Sequence, residues 1–229
     1  MTSIISAVST KGGSGKSTTI RILAAQLAFN GCRVVILDTD PQLSCVHWLK
    51  NAEKRGEQTD NVVAREIDEI RTVEPLVQSL KGKVDYVLID LQGAATGMLL
   101  PIAKVSDLII LPWATTHDDW TGLKNTFVLL DTIRQENEDI DPLMVISNNR
   151  ITATEINHPY VAKRFEIAEL MKVKAAETLL WRRMAYSNML LKTGFIPQTP
   201  DNTDQMLKAK TEHKAYTDEI LAIMNSKGN

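Results

Sequence analysis

Long apolar runs are missing from this 229-residue chain, and so is any surplus of positive charge. The richest apolar stretch, Leu108–Trp113, falls far short of the ~20 residues that a membrane-crossing helix needs. The opening residues 1–6 carry neither a basic segment nor an apolar one followed by a small-residue cleavage site. No secretory signal is expected, and the cytosol is the expected location. Cysteine occurs only twice, as Cys32 and Cys45, without the spacing of metal ligands. Both read as buried reduced thiols, and neither lies beyond a mid-chain strand where an iron–sulfur cluster would need it. A net charge of -2 argues against a protein that coats nucleic acid by bulk positive charge.

What is present is an ordinary apolar fraction of 44%, enough for one sizeable α/β core, and a single domain over 1–229 is expected. Charge is unevenly spread. Residues 116–142 hold seven acids against two bases, and residues 160–192 hold seven bases against three acids, which suggests one acidic and one basic face. Short β-rich runs at 4–8, 34–37, 86–89, 108–111 and 143–146 alternate with helical patterns, and 62–65 reads as a further short strand. Ile20, Leu23, Ala24, Leu27 and Ala28 recur at helical spacing before the stop signal Asn30-Gly31, which makes a βαβ unit. Further helices are expected at 68–80, ending at Lys81-Gly82-Lys83, and at 119–134, 161–171, 182–191 and 203–224. The last of these has Asp201 and Asn202 as cap candidates. The pattern predicts an α/β fold, a mostly parallel twisted sheet with helices on both faces, whose ligands bind beyond the carboxyl ends of the strands.

The segment Ser9-Thr10-Lys11-Gly12-Gly13-Ser14-Gly15-Lys16-Ser17-Thr18 follows the first strand and opens the first helix, the setting that a phosphate-binding loop requires. Glycines let the main chain turn with its N–H groups inward, and the helix amino terminus favours an anion. Lys16 is placed to meet the β/γ-phosphates and Ser17 to ligate Mg²⁺. The glycine that usually precedes the Gly-Lys-Ser ending with four residues between is replaced by Thr10, with Gly12 and Gly13 instead. In this deviant form the segment from Lys11 to Thr18 resembles the KGGxGK[ST]T signature of the ParA/MinD family of P-loop ATPases, the small plasmid-partition ParA proteins of the ParF and VirC1 kind above all. The resemblance implies a nucleotide-sandwich homodimer in which Lys11 reaches the phosphates of the other subunit, so that dimerisation and phosphoryl transfer depend on each other.

Leu37-Asp38-Thr39-Asp40-Pro41-Gln42 resembles the family's switch I motif, DxDPQ. The resemblance makes Asp40 the residue that orients the attacking water and Asp38 a support of the Mg²⁺ shell, while a cap for a helix starting near Leu43 explains the same letters. Asp90 closes an apolar strand as a Walker B acid does and is the third Mg²⁺ candidate beside Ser17 and Asp38. The following residues 91–95, Leu-Gln-Gly-Ala-Ala, depart from the Thr-Pro-Pro of many relatives. Gly93 can still sense a γ-phosphate through its N–H, and Gln92 has no assigned role.

After the fifth strand, Asn148 or Asn149 suits the donor and acceptor of an adenine edge, and suits a turn equally well. The segment 194–197, with Pro197, resembles the family loop that packs on the base. Trp181-Arg182-Arg183-Met184-Ala185-Tyr186 resembles the Arg-x-x-Tyr segment near the dimer and DNA surface of small ParA proteins. Arg182, Arg183 and Lys192, with Lys163 and Arg164, can neutralise phosphates without reading bases, or can form a solvated basic face. Trp181 and Tyr186 read as partial core.

The resemblance therefore implies an ATP- and Mg²⁺-dependent ATPase of DNA partition: a homodimer on ATP, binding nonspecific duplex DNA, stimulated by a ParB-like partner, cytoplasmic and nucleoid-associated. The loop begins too near the start for a preceding helix-turn-helix, so operator recognition is not expected. An adaptor of conjugative DNA transfer resembling VirC1, or one that positions a protein cargo, would share this chemistry. A membrane-associated ATPase resembling MinD needs a basic amphipathic tail. Here 216–224 carries Asp218 and Glu219 with no base, and only Lys227 follows.

Overall fold

The computed structural model describes residues 2–93 and 96–226; Ala94 and Ala95 of the 91–95 segment and Lys227 of the tail lie outside the described residues. The β-branched runs form strands because their alternate side chains enter two different cores. In β1 (Ser3–Ala7) Ile5 and Ala7 join one core while Ile4 joins the other, and in β4 (Tyr86–Asp90) Leu88 is divided in the same way from Val87 and Ile89. Such two-sided burial is the mark of a parallel sheet covered on both faces. With β2 (Val34–Asp38), β3 (Val62–Glu66), β5 (Leu108–Trp113), β6 (Leu143–Ile151) and β7 (Lys174–Ala175) the order is β3-β2-β4-β1-β5-β6-β7. A further strand, β8 (Leu180–Trp181), also pairs with β6, and every pairing is parallel.

Helices α1 (Lys16–Phe29), α2 (Ser44–Lys54) and α9 (Asp204–Asn225) cover the first core. Helices α3 (Val73–Leu80), α4 (Leu99–Val105), α5 (His117–Glu136) and α7 (Arg164–Leu170) cover the second. The central strand β1 lies between β4 and β5, so the chain crosses to opposite sides from it. Loops after β1, β2 and β4 thereby converge at the strand ends, where an open α/β sheet holds its ligand.

The expected first βαβ unit is present, and Gly31 (φ 84) follows the last turn of α1 as its stop. The expected helix 182–191 is not formed. The chain there runs through β8 and a single turn, α8 (Met184–Ser187), because the Glu212 carboxylate of α9 takes the Trp181 N–H at 2.8 Å and the Arg183 side chain at 2.6 Å. The expected helix 161–171 is divided at Lys163 into α6 (Pro159–Ala162) and α7. The last helix is capped at Thr203 rather than at Asp201 or Asn202. Helix α4 escaped the sequence reading because Pro101 interrupts it, yet this proline sits in the first turn, where no N–H is required. Cys45 is buried as expected, whereas Cys32 is only half-buried. No helix among the described residues is long and apolar enough to cross a membrane.

Candidate nucleotide site

Between β1 and α1 the loop takes the left-handed conformations that glycine alone adopts freely, at Gly13 (φ 72) and Gly15 (φ 104), the latter at the helix cap. A methyl group at Gly15 would stand 2.7 Å from the Asn149 amide nitrogen, so this position has no room for a side chain either. Lys16 is buried, its Nζ 3.3 Å from the Lys11 carbonyl. Burial pulls its ammonium below the usual lysine range, with Asp90 and Asp40 pushing back up. A cleft of about 530 Å³ opens over the loop and is lined by Gly12, Gly13, Lys16, Ser17, Asp40 and Gln92, among others. Gly93 packs against the same loop: a Cβ there would meet Lys16 Nζ at 3.3 Å and Gly12 Cα at 3.4 Å. The structure thus brings together the loop, Asp40 and the segment after β4.

The two buried aspartates divide their work. Asp38 Oδ2 accepts the N–H groups of Cys45 at 2.8 Å and Val46 at 3.3 Å, and Oδ1 that of Asp40 at 3.2 Å. Asp38 therefore anchors the start of α2, whose cap residue Leu43 is left-handed (φ 48). Burial raises its carboxyl in spite of these three bonds. Asp90 is fully buried, with Oδ1 lacking any partner, and Oδ2 accepts from the Cys45 thiol at 3.3 Å. Burial lifts its carboxyl to about 6, against the Ser17 hydrogen bond and the Lys16 charge. Ligand atoms of Asp38, Cys45 and Asp90 lie within 4.8 Å of one another. An orphaned carboxylate oxygen beside a serine side chain fits a hard divalent cation, which takes oxygen ligands. Asp40 lies at the cleft, its Oδ1 accepting the Gln42 N–H at 2.9 Å.

Lys11 folds back within its own chain. Its Nζ meets Asp119 Oδ1 at 2.7 Å and Thr116 Oγ1 at 3.3 Å. Asp119 and Thr116 form the capping box that starts α5. Burial pushes the Asp119 carboxyl up, but Lys11 and Thr116 outweigh it and hold it below the usual range. The Thr-x-x-Asp cap was readable as a helix start, but its capture of Lys11, over 100 residues away in sequence, was not.

A second cavity of about 620 Å³ adjoins the first, sharing Gly15, Thr18, Arg21 and Arg150, and is bounded farther on by Leu180 and Trp181. Asn149 reaches its wall, but the Asn149 amide is already engaged, donating to Thr19 Oγ1 at 2.8 Å and accepting from Ser147 Oγ at 2.9 Å. Asn148 is buried, its amide without a partner, and lines neither cavity. Pro197 likewise lines neither cavity. Its segment is drawn to α2 and the loop after it: Trp48 Nε1 donates to the Gly194 carbonyl at 3.0 Å, and Glu57, beyond the helix end, takes the N–H groups of Gly194 and Phe195.

Arg182 and Lys192 are exposed, and Arg182 lines the second cavity. Arg183 is not a free cation: its ion pair with the buried Glu212 occupies it. Burial raises the Glu212 carboxyl, and Arg183 draws it back down. Arg164 is also engaged, with three backbone carbonyls and over the Phe165 ring at 4.3 Å. Tyr186 is core, as expected, its ring tilted against His213 with 5.4 Å between ring centroids.

Against known proteins, the model of the VirC1 protein family matches residues 2–217. The chain is 29% identical to Protein ParA of Rhizobium radiobacter over 223 residues, 95% of this chain and 96% of that one. Among solved structures it is similar to the septum site-determining protein MinD of Pyrococcus horikoshii complexed with Mg-ADP, at TM-score 0.69 and 21% identity over 97% and 98% of the two chains. It is also similar to pNOB8 ParA bound to nonspecific DNA, at TM-score 0.64 and 15% identity over 99% of each chain.

Proposed function

The chain belongs to the VirC1 protein family, within the wider ParA/MinD group of P-loop ATPases, and from that premise we propose that it is an ATP- and Mg²⁺-dependent switch for DNA partition. ATP closes a homodimer, the dimer holds duplex DNA without reading its sequence, and a ParB-like partner speeds slow hydrolysis. The protein works as one domain, in the cytoplasm and on the nucleoid. The observation that carries this reading is the convergence of the glycine loop, Asp40 and Gly93 on the Lys16 ammonium in one cleft. The Mg-ADP of the MinD structure and the nonspecific DNA of the pNOB8 structure are the ligands proposed here.

In this reading Ser17 and Asp90 hold Mg²⁺, with Asp38 fixing the switch I backbone around them. The cation supplies charge neutralisation on the terminal phosphates. Lys16 stabilises charge that grows on the transferred group, Asp40 orients the water in line, and the Gly93 N–H meets the γ-phosphate. Lys11 serves the partner subunit, so its ion pair with Asp119 opens before the dimer is competent. The DNA surface is left to Arg182, Lys192 and Lys163, since Arg183 and Arg164 are engaged. The match of the VirC1 family over 2–217 favours a second reading on the same chemistry, an adaptor in conjugative DNA transfer.

Titration with ATP and Mg²⁺, followed by calorimetry and light scattering, tests the proposal. The chain is expected to take up nucleotide and shift from monomer to dimer, with intrinsic turnover on the order of 10⁻⁴ to 10⁻² per second. Lys16→Ala loses uptake, whereas Asp40→Ala still dimerises but hydrolyses more slowly. Neither uptake nor dimerisation by the unaltered chain would refute it.

A further inference from the structure

Strand β6 does not run straight to its end. Its pairing with β8 joins Asn149 to Leu180 and Ile151 to Trp181, so Arg150 is an extra residue opposite no partner, a bulge. Arg150 is also left-handed, at φ 58, a conformation that a bulky residue adopts only under strain. Bulges re-aim side chains and are common beside functional sites. Here the bulge leaves Asn149 and Ile151 buried and turns Arg150 outward.

The direction of that side chain is specific. Arg150 Nη1 lies 4.0 Å from where a Cβ on Gly13 would be, above the loop. Arg150 lines both the cleft over Lys16 and the adjoining cavity, at their junction. It is exposed, and its guanidinium makes no hydrogen bond or ion pair among the described residues, unlike Arg183 and Arg164. A strained backbone that presents an unpaired planar cation over an anion-binding loop is wasteful unless the cation has a ligand there.

We propose that Arg150 is a nucleotide-positioning residue, its guanidinium binding the polyphosphate at the junction of nucleoside and terminal phosphates, across from Lys16. This rests on the reading of the cleft as a nucleotide site. It gives each subunit a second cation of its own, so nucleotide is held in the monomer while Lys11 remains paired with Asp119. Because the contact lies behind the terminal phosphate, ADP and ATP share it. Adenosine, which lacks phosphate, does not.

The test compares Arg150→Ala, Arg150→Lys and Arg150→Gly in calorimetric titrations with ATP, ADP and adenosine, with thermal denaturation of the nucleotide-free proteins. A charge-assisted contact predicts that Arg150→Ala weakens ATP and ADP alike, by about tenfold or more, and leaves adenosine unchanged. Lysine restores part of the loss, since it keeps the charge but not the fork. Glycine relieves the strained φ, so Arg150→Gly melts higher than the parent chain yet binds nucleotide as poorly as the alanine variant. Wild-type ATP and ADP affinity in both Arg150→Ala and Arg150→Gly, alongside loss of binding in Lys16→Ala, would overturn the role of Arg150 and leave the nucleotide reading standing. Retained binding in Lys16→Ala would instead overturn that parent reading.

Discussion

The sheet that carries the phosphate loop and the carboxyl-terminal third satisfy their buried backbone amides by different means. From β1 to β6 the strand amides pair with neighbouring strands, in ladders of three to six registered positions. Beyond Ile151 the strands β7 and β8 are two residues long, and carboxylates from distant positions take over. Glu212 accepts from Trp181, Glu219 from Glu177 and Thr178, and Glu57 from Gly194 and Phe195. A ladder shares its load among many equivalent bonds, whereas each of these loop amides depends on a single carboxylate. The phosphate loop therefore rests on a redundant scaffold, and the outer wall of the adjoining cavity on a short two-residue pairing backed by the Glu212 carboxylate.

The sharpest way to break that contrast is Glu212→Ala, which leaves Arg183 unpaired and the Trp181 amide without its acceptor. A loss of about 3–5 kcal/mol is expected for opening a buried pair, measured by urea denaturation. A loss near that of a surface substitution would mean that the region does not depend on this carboxylate. His213, also on α9, offers a pH test of the same region. Its ring is fully buried, Nδ1 lies 3.1 Å from the Ala209 carbonyl, Nε2 has no partner, and burial lowers its pKa from 6.5 to about 4. Between those values the unfolded chain takes up a proton that the folded one refuses. Stability then falls as pH drops through the window, by about 3 kcal/mol at its foot. Glu212, with its carboxyl raised by burial, works in the opposite direction. The histidine component is thus the difference between the parent chain and His213→Gln, whose stability should decline less between pH 6.5 and 4. The smallest effect belongs to the ladder. Ile36→Val, in the middle of β2 and fully buried, should cost only about 0.5–1.5 kcal/mol and leave ATP affinity unchanged; a larger cost with weakened binding would remove the claim of redundancy.

The same contrast explains what could be read in advance. Asp38 and Asp90 are legible because each closes a short apolar run, Asp40 because it stands in the Asp-Thr-Asp-Pro-Gln segment that follows, and the loop from Lys11 to Thr18 because its glycines sit between strand and helix. Those signals lie within a dozen residues of sequence. The failed helix at 182–191 depended on Glu212, some 30 residues away, and the Pro197 segment on Glu57, more than 130 residues away. Asn149 was recognised as a polar residue at a strand end, but not as a brace, since the crowding that binds it to Gly15 exists only in the folded chain. Arg150 gave no signal at all, because a bulge is a mismatch between two strands and β8 is too short to announce itself.

Thr39 is a small residue with a large reach. Its hydroxyl donates to the Asp90 carbonyl and accepts the Gln92 N–H at 3.0 Å, and its own amide returns to the Asp90 carbonyl. The tips of β2 and β4 are thereby riveted together, and a ligand that pulls on the segment after Asp90 tugs the neighbouring Asp40 with it. In the proposed switch, commitment to hydrolysis then becomes a joint property of two strand tips, set by how stiffly one hydroxyl couples them.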